Sequence, residues 1–364
     1  MTRVVFAPDS FKGTITAEAA ARALASGWVS VDPNAIVISR PMADGGEGTV
    51  AAFATAIPGS TLQPVTVTGP AGDEVEATWL RLPDGTAVVD LASTSGIELL
   101  RELRPWDADS TGLGQALSAA ADHGAPRLIV GIGSSASTDG GTGMLSALGA
   151  RFVDTAGRPV ARGARGLTQI AQVDLSALRT APEVLVLTDV SNPLVGEHGA
   201  AAVFGPQKGL KPDDIPSVDT ALRHLARLLG LDPSTPGAGA AGGVGGALLT
   251  WGGVLAPGAD TVADLIGLRA ALADADVVIT GEGSHDAQSA AGKVPAFVAS
   301  LARQSGTVAM LAAGAIAPDA DTTPFAGHVS LSALAGSASS AMASPTRWLH
   351  EAGRALAERY VAAS

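Results

Sequence analysis

The chain has 364 residues, 46% of them hydrophobic, no cysteine, and a formal net charge of -12 at pH 7. The length allows a large core and about two domains, and the missing thiol excludes a disulfide framework, a thiol nucleophile and cysteine-ligated zinc. The acidic balance argues against a nucleic-acid partner, so an anionic substrate would have to be met by positive charge and backbone N–H groups gathered locally. No apolar run is long enough to span a bilayer, and "MTRVVFAP" lacks the ordered basic, apolar and small-residue segments of a secretion signal. The expectation is a soluble, cytoplasmic protein with neither membrane nor nucleic-acid partners.

In chain order, short apolar runs alternate with helical segments. "VVFAP" (4–8) reads as a strand, followed by a helix that Thr16 caps shortly before Glu18. "AIVISRP" (35–41) reads as a second strand and "GEGTVAAFATAI" as a second helix. From residue 62 the texture changes to β-branched alternation cut by "GPAGD" and "PDG", which predicts hairpins or a meander. Strands follow at 128–133 and 184–190, then an amphipathic helix near 217–230 and a glycine-dense stretch at 237–246. Strand–helix alternation returns with 276–281, 307–314 and 328–334, and a final helix closes the chain.

This pattern predicts an α/β protein: a flavodoxin-like parallel-sheet domain, discontinuous over 1–62 and 263–364, interrupted by a second α/β domain (63–262) with a mixed, hairpin-containing sheet. With right-handed crossovers the outer strands can take the order 2-1-3-4-5, whose ligand site lies outside the carboxyl ends of the first and third strands. The loop after the first strand is "PDSFKG" and the loop after the third is "TGEGSHDAQ". Asp9, Ser10 and Lys12 then face Glu282 and Asp286, with Gly281 and Gly283 in the same loop. Lys12 is one of only four lysines, against nineteen arginines, and a compact ammonium on a flexible stem suits a crowded pocket.

Four further segments offer chemistry. In "PMADGGEGT", Asp44 and Glu47 can coordinate a hard cation, while Gly45 and Gly46 can open an anion site on helix N–H groups; a plain strand–helix turn accounts for the same residues. "LIVGIGSSASTDGGTGML" runs a strand into glycines and hydroxyls, where the backbone can approach phosphate or carboxylate oxygens around Ser134 and Ser135. Gly131, Gly133 and Ala136 also loosely fit the dinucleotide fingerprint, although "TDGGTG" puts turn-forming glycines where that helix should already run. A tight turn packed on a neighbour fits too. "TDVSNPL" and "GPQKG" contribute Asp189, the Asn192 turn and Lys208. Near the end, Gly292 and Lys293 open a helix whose free N–H groups and ammonium can share a phosphate, without forming a Walker A loop. His285 reads as a solvated loop histidine rather than a base.

Taken together, "APDSFKGTITA", "PMADGGEGT", "GIGSSASTDGGTGML", "DVSNPL", "GAAAVFGPQKG", "PGAGAAGGVGGALL" and "ITGEG" followed by Asp286, Gln288 and "GK" resemble, in order and over nearly the whole chain, the bacterial glycerate kinase family. The resemblance implies ATP-dependent phosphorylation of D-glycerate, at the 2-hydroxyl, by two α/β domains with the site in the cleft between them, in a monomer or homodimer. It also shows departures. Ser134, Ser137 and Thr138 stand where the family usually has Gly, Thr and Asn, and Ser191 replaces an acid. The loop usually written "GEGRLDGQTLHGK" carries Ser284, His285, Ala287, Ser289, Ala290 and Ala291. These changes bear on rate and acceptor identity more than on fold or donor.

On this basis Lys12 and Lys293 are candidates to neutralise phosphate, with Lys208 for the acceptor carboxylate. Asp44, Glu47 and Asp189 are Mg2+ candidates, and Asp9 or Asp286 would take the hydroxyl proton. Ser10, Gly45, Gly46, Ser134, Ser135, Asn192, Gly281 and Gly283 are candidate substrate and phosphate contacts. The rivals are a kinase for another small hydroxy acid, an oxidoreductase on Gly131 and Gly133 with Asp154 holding a ribose, and a non-catalytic anion-binding homologue.

Overall fold

The computed structural model describes residues 1–11, 13–286 and 293–363. In chain order the strands are β1 (Arg3–Phe6), β2 (Ile36–Ser39), β3 (Thr61–Thr68), β4 (Glu74–Arg81), β5 (Ala87–Asp90), β6 (Arg127–Gly131), β7 (Arg151–Val153), β8 (Gln172–Asp174), β9 (Glu183–Leu187), β10 (Val254–Ala256), β11 (Val277–His285), β12 (Val308–Ile316) and β13 (Gly327–Ser330). They belong to two compact units: Met1–Asp44 with Ala51–Pro58 and Ala259–Ser364, and Gly45–Val50 with Gly59–Gly258.

The first unit is built on a five-stranded parallel sheet in the order β13-β12-β11-β1-β2. Counted within the unit this is 2-1-3-4-5, the doubly wound order expected from the sequence, with its switch point between β1 and β11. Val4, Phe6, Val277 and Ile279 lie wholly buried at the sheet centre, as a strand covered on both faces requires. The zipper continues past β1, since Ala7 N donates to Ile279 O and Asp9 N to Gly281 O, each at 2.8 Å. That extension carries Asp9 and Ser10 alongside the end of β11.

Helix Ala17–Val29 begins as predicted, with the Thr16 hydroxyl accepting from Ala19 N at 3.2 Å. It packs against the terminal helix Pro345–Ala363, where Trp28 meets Phe6 edge-on and Tyr360 at a tilt. The two helices approach so closely that a Cβ at Gly27 would collide with the His350 carbonyl, and one at Gly353 with the Leu24 carbonyl. Neither obstacle is a flexible side-chain end. Gly353→Ala is therefore expected to cost about 1–3 kcal/mol by overpacking, read as a lowered urea midpoint at unchanged slope.

The second unit holds a six-stranded mixed sheet in the order β10-β9-β6-β5-β4-β3. β5, β6, β9 and β10 run parallel, while β3 and β4 form the expected antiparallel hairpin at the edge. A separate hairpin pairs β7 with β8. Helix Ile215–Leu229 buries Val218, Leu222 and Leu225 and stops at Gly230, whose φ of 68° is left-handed, the usual glycine helix stop.

Two expectations need correction. The segment 328–334 is only briefly a strand: β13 ends at Ser330 and a short helix, Leu331–Ala335, follows. β11 does not end at Gly281 but runs to His285, paired with β12 through Ile316. Among the described residues no helix is long and apolar enough to cross a membrane.

Candidate active site

At the switch point of the first unit lies a cavity of about 440 Å³. Its polar end is lined by Asp9, Ser10 and Thr14 from the segment after β1, Asp44 after β2, Glu282, Gly283 and Ser284 of β11, and Lys293. Its other wall is apolar, formed by Phe11, Val294, Leu331, Ala341 and Met342 among others. Met342 is 58% exposed, so a large apolar side chain borders the cavity with most of its surface uncovered.

Each polar group has a structural reason for its place. Lys293 is the N-cap residue of helix Val294–Ser305, with Pro295 in the first turn and a left-handed Gly306 ending the helix, so its ammonium springs from a fixed point. Lys293 Nζ lies 3.7 Å from Glu282 Oε2 and 3.5 Å from Asp286 Oδ1. Ser10 is 5% exposed, and among the described residues its hydroxyl has no hydrogen-bond partner. Burying an unsatisfied hydroxyl is costly, and here it borders a cavity lined by acids and an ammonium. That combination points to a polar ligand.

His285 is not the solvated loop residue expected. It is 2% exposed at the end of β11, with Nδ1 2.7 Å from Glu282 Oε1, Nε2 3.2 Å from the Asp321 carbonyl oxygen, and Phe325 packed edge-on. Glu282, placed opposite Asp9 by the sequence but given no role, is the group His285 holds.

The other predicted residues fall elsewhere. Lys12 lies outside the described residues, although Phe11 and Thr14 on either side of it line the cavity. Gly281 backs the sheet rather than opening it, because a Cβ there would strike the Ala312 carbonyl. Gly45, Gly46, Glu47, Ser134, Ser135, Asp189, Asn192 and Lys208 all belong to the second unit.

Within that unit the glycines of "GIG" let backbone approach backbone. A Cβ at Gly131 would stand 2.6 Å from Gly45 O, one at Gly133 would stand 2.5 Å from Gly46 Cα, and Gly133 N donates to Gly45 O at 3.0 Å. The tight-turn alternative therefore describes Gly133 better than the anion cradle, since its N–H is already used. Ser134 adopts φ 61°, a left-handed conformation that strains a side-chain-bearing residue. It borders a smaller cavity of about 220 Å³ together with Glu47, Asp90 and Glu98. Burial raises the Asp90 carboxyl above its ordinary range, partly offset by hydrogen bonds from Ser93.

Asp189 Oδ1 accepts from Gly258 N at 2.8 Å, and the Asn192 amide donates to the His198 carbonyl at 2.8 Å. Of the three metal candidates, only Asp44 lines the larger cavity. Among the described residues no group of three or more His, Asp or Glu side chains gathers into a metal cage. Mg2+ does not need one, since one or two carboxylates plus phosphate oxygens and waters suffice. The hard oxygens around Asp44 fit that requirement.

Lys208 is 2% exposed, its Nζ 2.6 Å from Ser135 Oγ and also donating to the Ser137 carbonyl. The ammonium thus holds the 135–137 loop and is not open to an acceptor. Burial lowers its pKa to about 7, while the Asp139 charge pulls the other way. The unfolded chain, near the ordinary 10.5, binds this proton where the folded chain does not, so stability from this group rises with pH between about 7 and 10.5. The slope is at most about 1.4 kcal/mol per pH unit. Urea midpoints of the wild type relative to Lys208→Met should therefore climb from neutral to alkaline pH.

The missed anchor of this loop is Asp139, wholly buried. It accepts from Ser110 N at 3.0 Å, Ser110 Oγ at 2.7 Å, Ser137 Oγ at 2.9 Å, and Gly141 N and Gly143 N at 3.1 Å each. "TDGG" at 138–141 was the available signal, read there as turn chemistry only. The geometry also weakens the oxidoreductase alternative. Asp154 is tied to Arg158 and to two backbone N–H groups of its own turn, beyond β7, which pairs with β8 in a separate two-stranded sheet. A ribose-binding acid would instead close the next strand of the parallel sheet.

Known proteins resemble this chain over nearly its whole length. The glycerate kinase family profile matches residues 4–361. The chain is 41% identical over 331 residues to a glycerate kinase of Bacillus subtilis (strain 168), covering 88% of this chain and 86% of that protein. It is 40% identical over 329 residues to a glycerate 2-kinase of Escherichia coli (strain K12), covering 87% and 86%. A crystal structure from Salmonella typhimurium LT2 carrying the name glycerate kinase 2 superposes with a TM-score of 0.84 at 37% identity, covering 100% of this chain and 99% of that one. With a profile match spanning nearly every residue and an α/β fold shared with a solved relative, the chain is a kinase and belongs to the glycerate kinase family.

Proposed function

We propose that this enzyme transfers the γ-phosphoryl group of ATP to the 2-hydroxyl of D-glycerate, and that the switch-point cavity of the first unit receives the nucleotide. The observation that carries the reading is the buried Ser10 hydroxyl, which has no hydrogen-bond partner among the described residues, in a cavity whose other lining residues include an ammonium and three carboxylates, Asp9, Asp44 and Glu282. The apolar wall of Phe11, Leu331 and Met342 offers a purine the surface it needs, and the polar end suits phosphates. The name of the relative from Escherichia coli supports the 2-position.

Phosphoryl transfer requires in-line positioning, neutralisation of charge and a sink for the acceptor proton, with little covalent work by the protein. Lys293 meets the terminal phosphates from its fixed helix start, and Ser10 donates to a phosphate oxygen. Lys12, from its place in the sequence, is assigned to the same charge. Asp9 or Asp286, both near the polar groups of this cavity, takes the hydroxyl proton. Mg2+, held by Asp44, would supply charge neutralisation on the phosphates when bound.

The test is ADP release by the full chain with ATP, Mg2+ and D-glycerate, followed by enolase coupling, which consumes 2-phosphoglycerate directly. Glycerate-dependent ADP release with immediate enolase signal is expected. ADP release without that signal would move the phosphate to the other hydroxyl, and turnover only with a different hydroxy acid would overturn the acceptor.

A further inference from the structure

We propose that His285 is a positioning residue for the phosphate end of this cavity: its ring carries a proton on both nitrogens, and as an imidazolium it pins the Glu282 carboxylate beside Lys293. The proposal rests on the nucleotide reading of the cavity for its kinetic consequence, but not for the state of the ring.

The argument is one of donors and acceptors. Nδ1 lies 2.7 Å from Glu282 Oε1 and Nε2 lies 3.2 Å from the Asp321 carbonyl oxygen. A backbone carbonyl only accepts, and so does an ionised carboxylate, whereas a neutral imidazole has a single N–H to give. Only the doubly protonated ring satisfies both contacts with Glu282 ionised. The alternative, a neutral ring accepting from a protonated Glu282, is disfavoured by Lys293 Nζ, 3.7 Å from the other Glu282 oxygen, because a nearby cation stabilises the carboxylate. The ring is 2% exposed, so bulk solvent does not take the place of either contact.

Among the described residues, the charged groups near the ring come from β11 and the segments beside it. Glu282 stands on the same strand, Lys293 and Asp286 flank the segment that follows, and Asp321 comes from the loop after β12. Residues 287–292, "AQSAAG", carry no ionisable side chain. The resulting order of charge is His285, Glu282, Lys293, Asp286, alternating in sign. Such an arrangement fixes Glu282 against rotation and sets where the Lys293 ammonium rests. His285 touches neither reactant: it acts through Glu282.

Nitrogen NMR of the histidine-labelled full chain tests the ring, with His285→Leu identifying its resonances among the six histidines. Both ring nitrogens at imidazolium positions at neutral pH is the expected result. A neutral-tautomer signature at neutral pH would overturn the proposal. The kinetic arm uses ATP and D-glycerate. His285→Leu should lower kcat by roughly 10- to 100-fold, the scale of a misplaced contact group, with a smaller change in the KM for ATP. His285→Asn, which keeps one donor toward Glu282, should recover part of that loss. A folded His285→Leu enzyme with kcat within about twofold of wild type would overturn the positioning role. If His285→Leu does not fold, the wild-type spectrum and the His285→Asn kinetics decide in its place. Wild-type inactivity on D-glycerate would count against the proposed function alone, since the ring spectrum needs no substrate.

Discussion

Lys293→Ala is expected to lower kcat/KM for ATP by roughly 10²- to 10³-fold, the range seen when a preorganised donor to developing charge is removed. Lys293 brings an ammonium to a cavity otherwise lined by Asp9, Asp44 and Glu282, with Asp286 3.5 Å from Nζ. Without it those carboxylates face a triphosphate with less charge to offset them, on a chain whose net charge of -12 already opposes an anion. The loss should fall on kcat as well as KM, because the contact strengthens as charge builds on the transferring group. Stability should change little, as the side chain is 41% exposed and exposed ion pairs contribute little. Steady-state kinetics beside a urea titration checks both halves. A folded variant within about threefold of wild-type kcat/KM would remove Lys293 from the mechanism.

The largest effect on stability is expected at Asp139. Alanine there would leave two backbone N–H groups of the helix start, two hydroxyls and the Ser110 N–H without their common acceptor, all inside the core of the second unit. It would also leave the buried Lys208 ammonium and the Arg162 guanidinium without a charge that both feel. Breaking such a buried network by removing one member costs about 3–5 kcal/mol. Urea denaturation of Asp139→Ala should show a loss of that size, with Asp139→Asn intermediate because it keeps one acceptor oxygen. A loss below about 1 kcal/mol would mean that the loop is held by other contacts.

The parts of the fold that were legible in the sequence share a cause. β1, β6 and β9 are continuous apolar runs because both sheet faces are covered, and the β3–β4 hairpin alternates because one face is not. Thr16 announced its helix, and "PDG" marked the turn before β5. The order of the outer sheet followed from connection rules once those strands were placed.

What was not legible also has physical causes. The last residues of β11, "EGSH", are polar because Glu282, Gly283 and Ser284 line a cavity and His285 holds Glu282 from within the fold, so periodicity placed them in a loop and left His285 in water. Glycines at 131 and 133 serve close approach, and a sequence cannot say whether backbone or phosphate does the approaching, since both require the same missing side chain. Asp139 looked like turn chemistry because its five donors come partly from Ser110, distant in the chain. Ser134, at φ 61°, holds a conformation that glycine would take without strain, and the only hint of it was the glycine that the family usually carries there.

The most direct test of the central claim is a crystal structure of the full chain with Mg2+ and a non-hydrolysable ATP analogue. The account predicts the terminal phosphates within hydrogen-bond distance of Ser10 Oγ and Lys293 Nζ, with the base against Phe11 and Leu331. A nucleotide bound entirely within the second unit, leaving the Ser10 hydroxyl unpartnered, would contradict it.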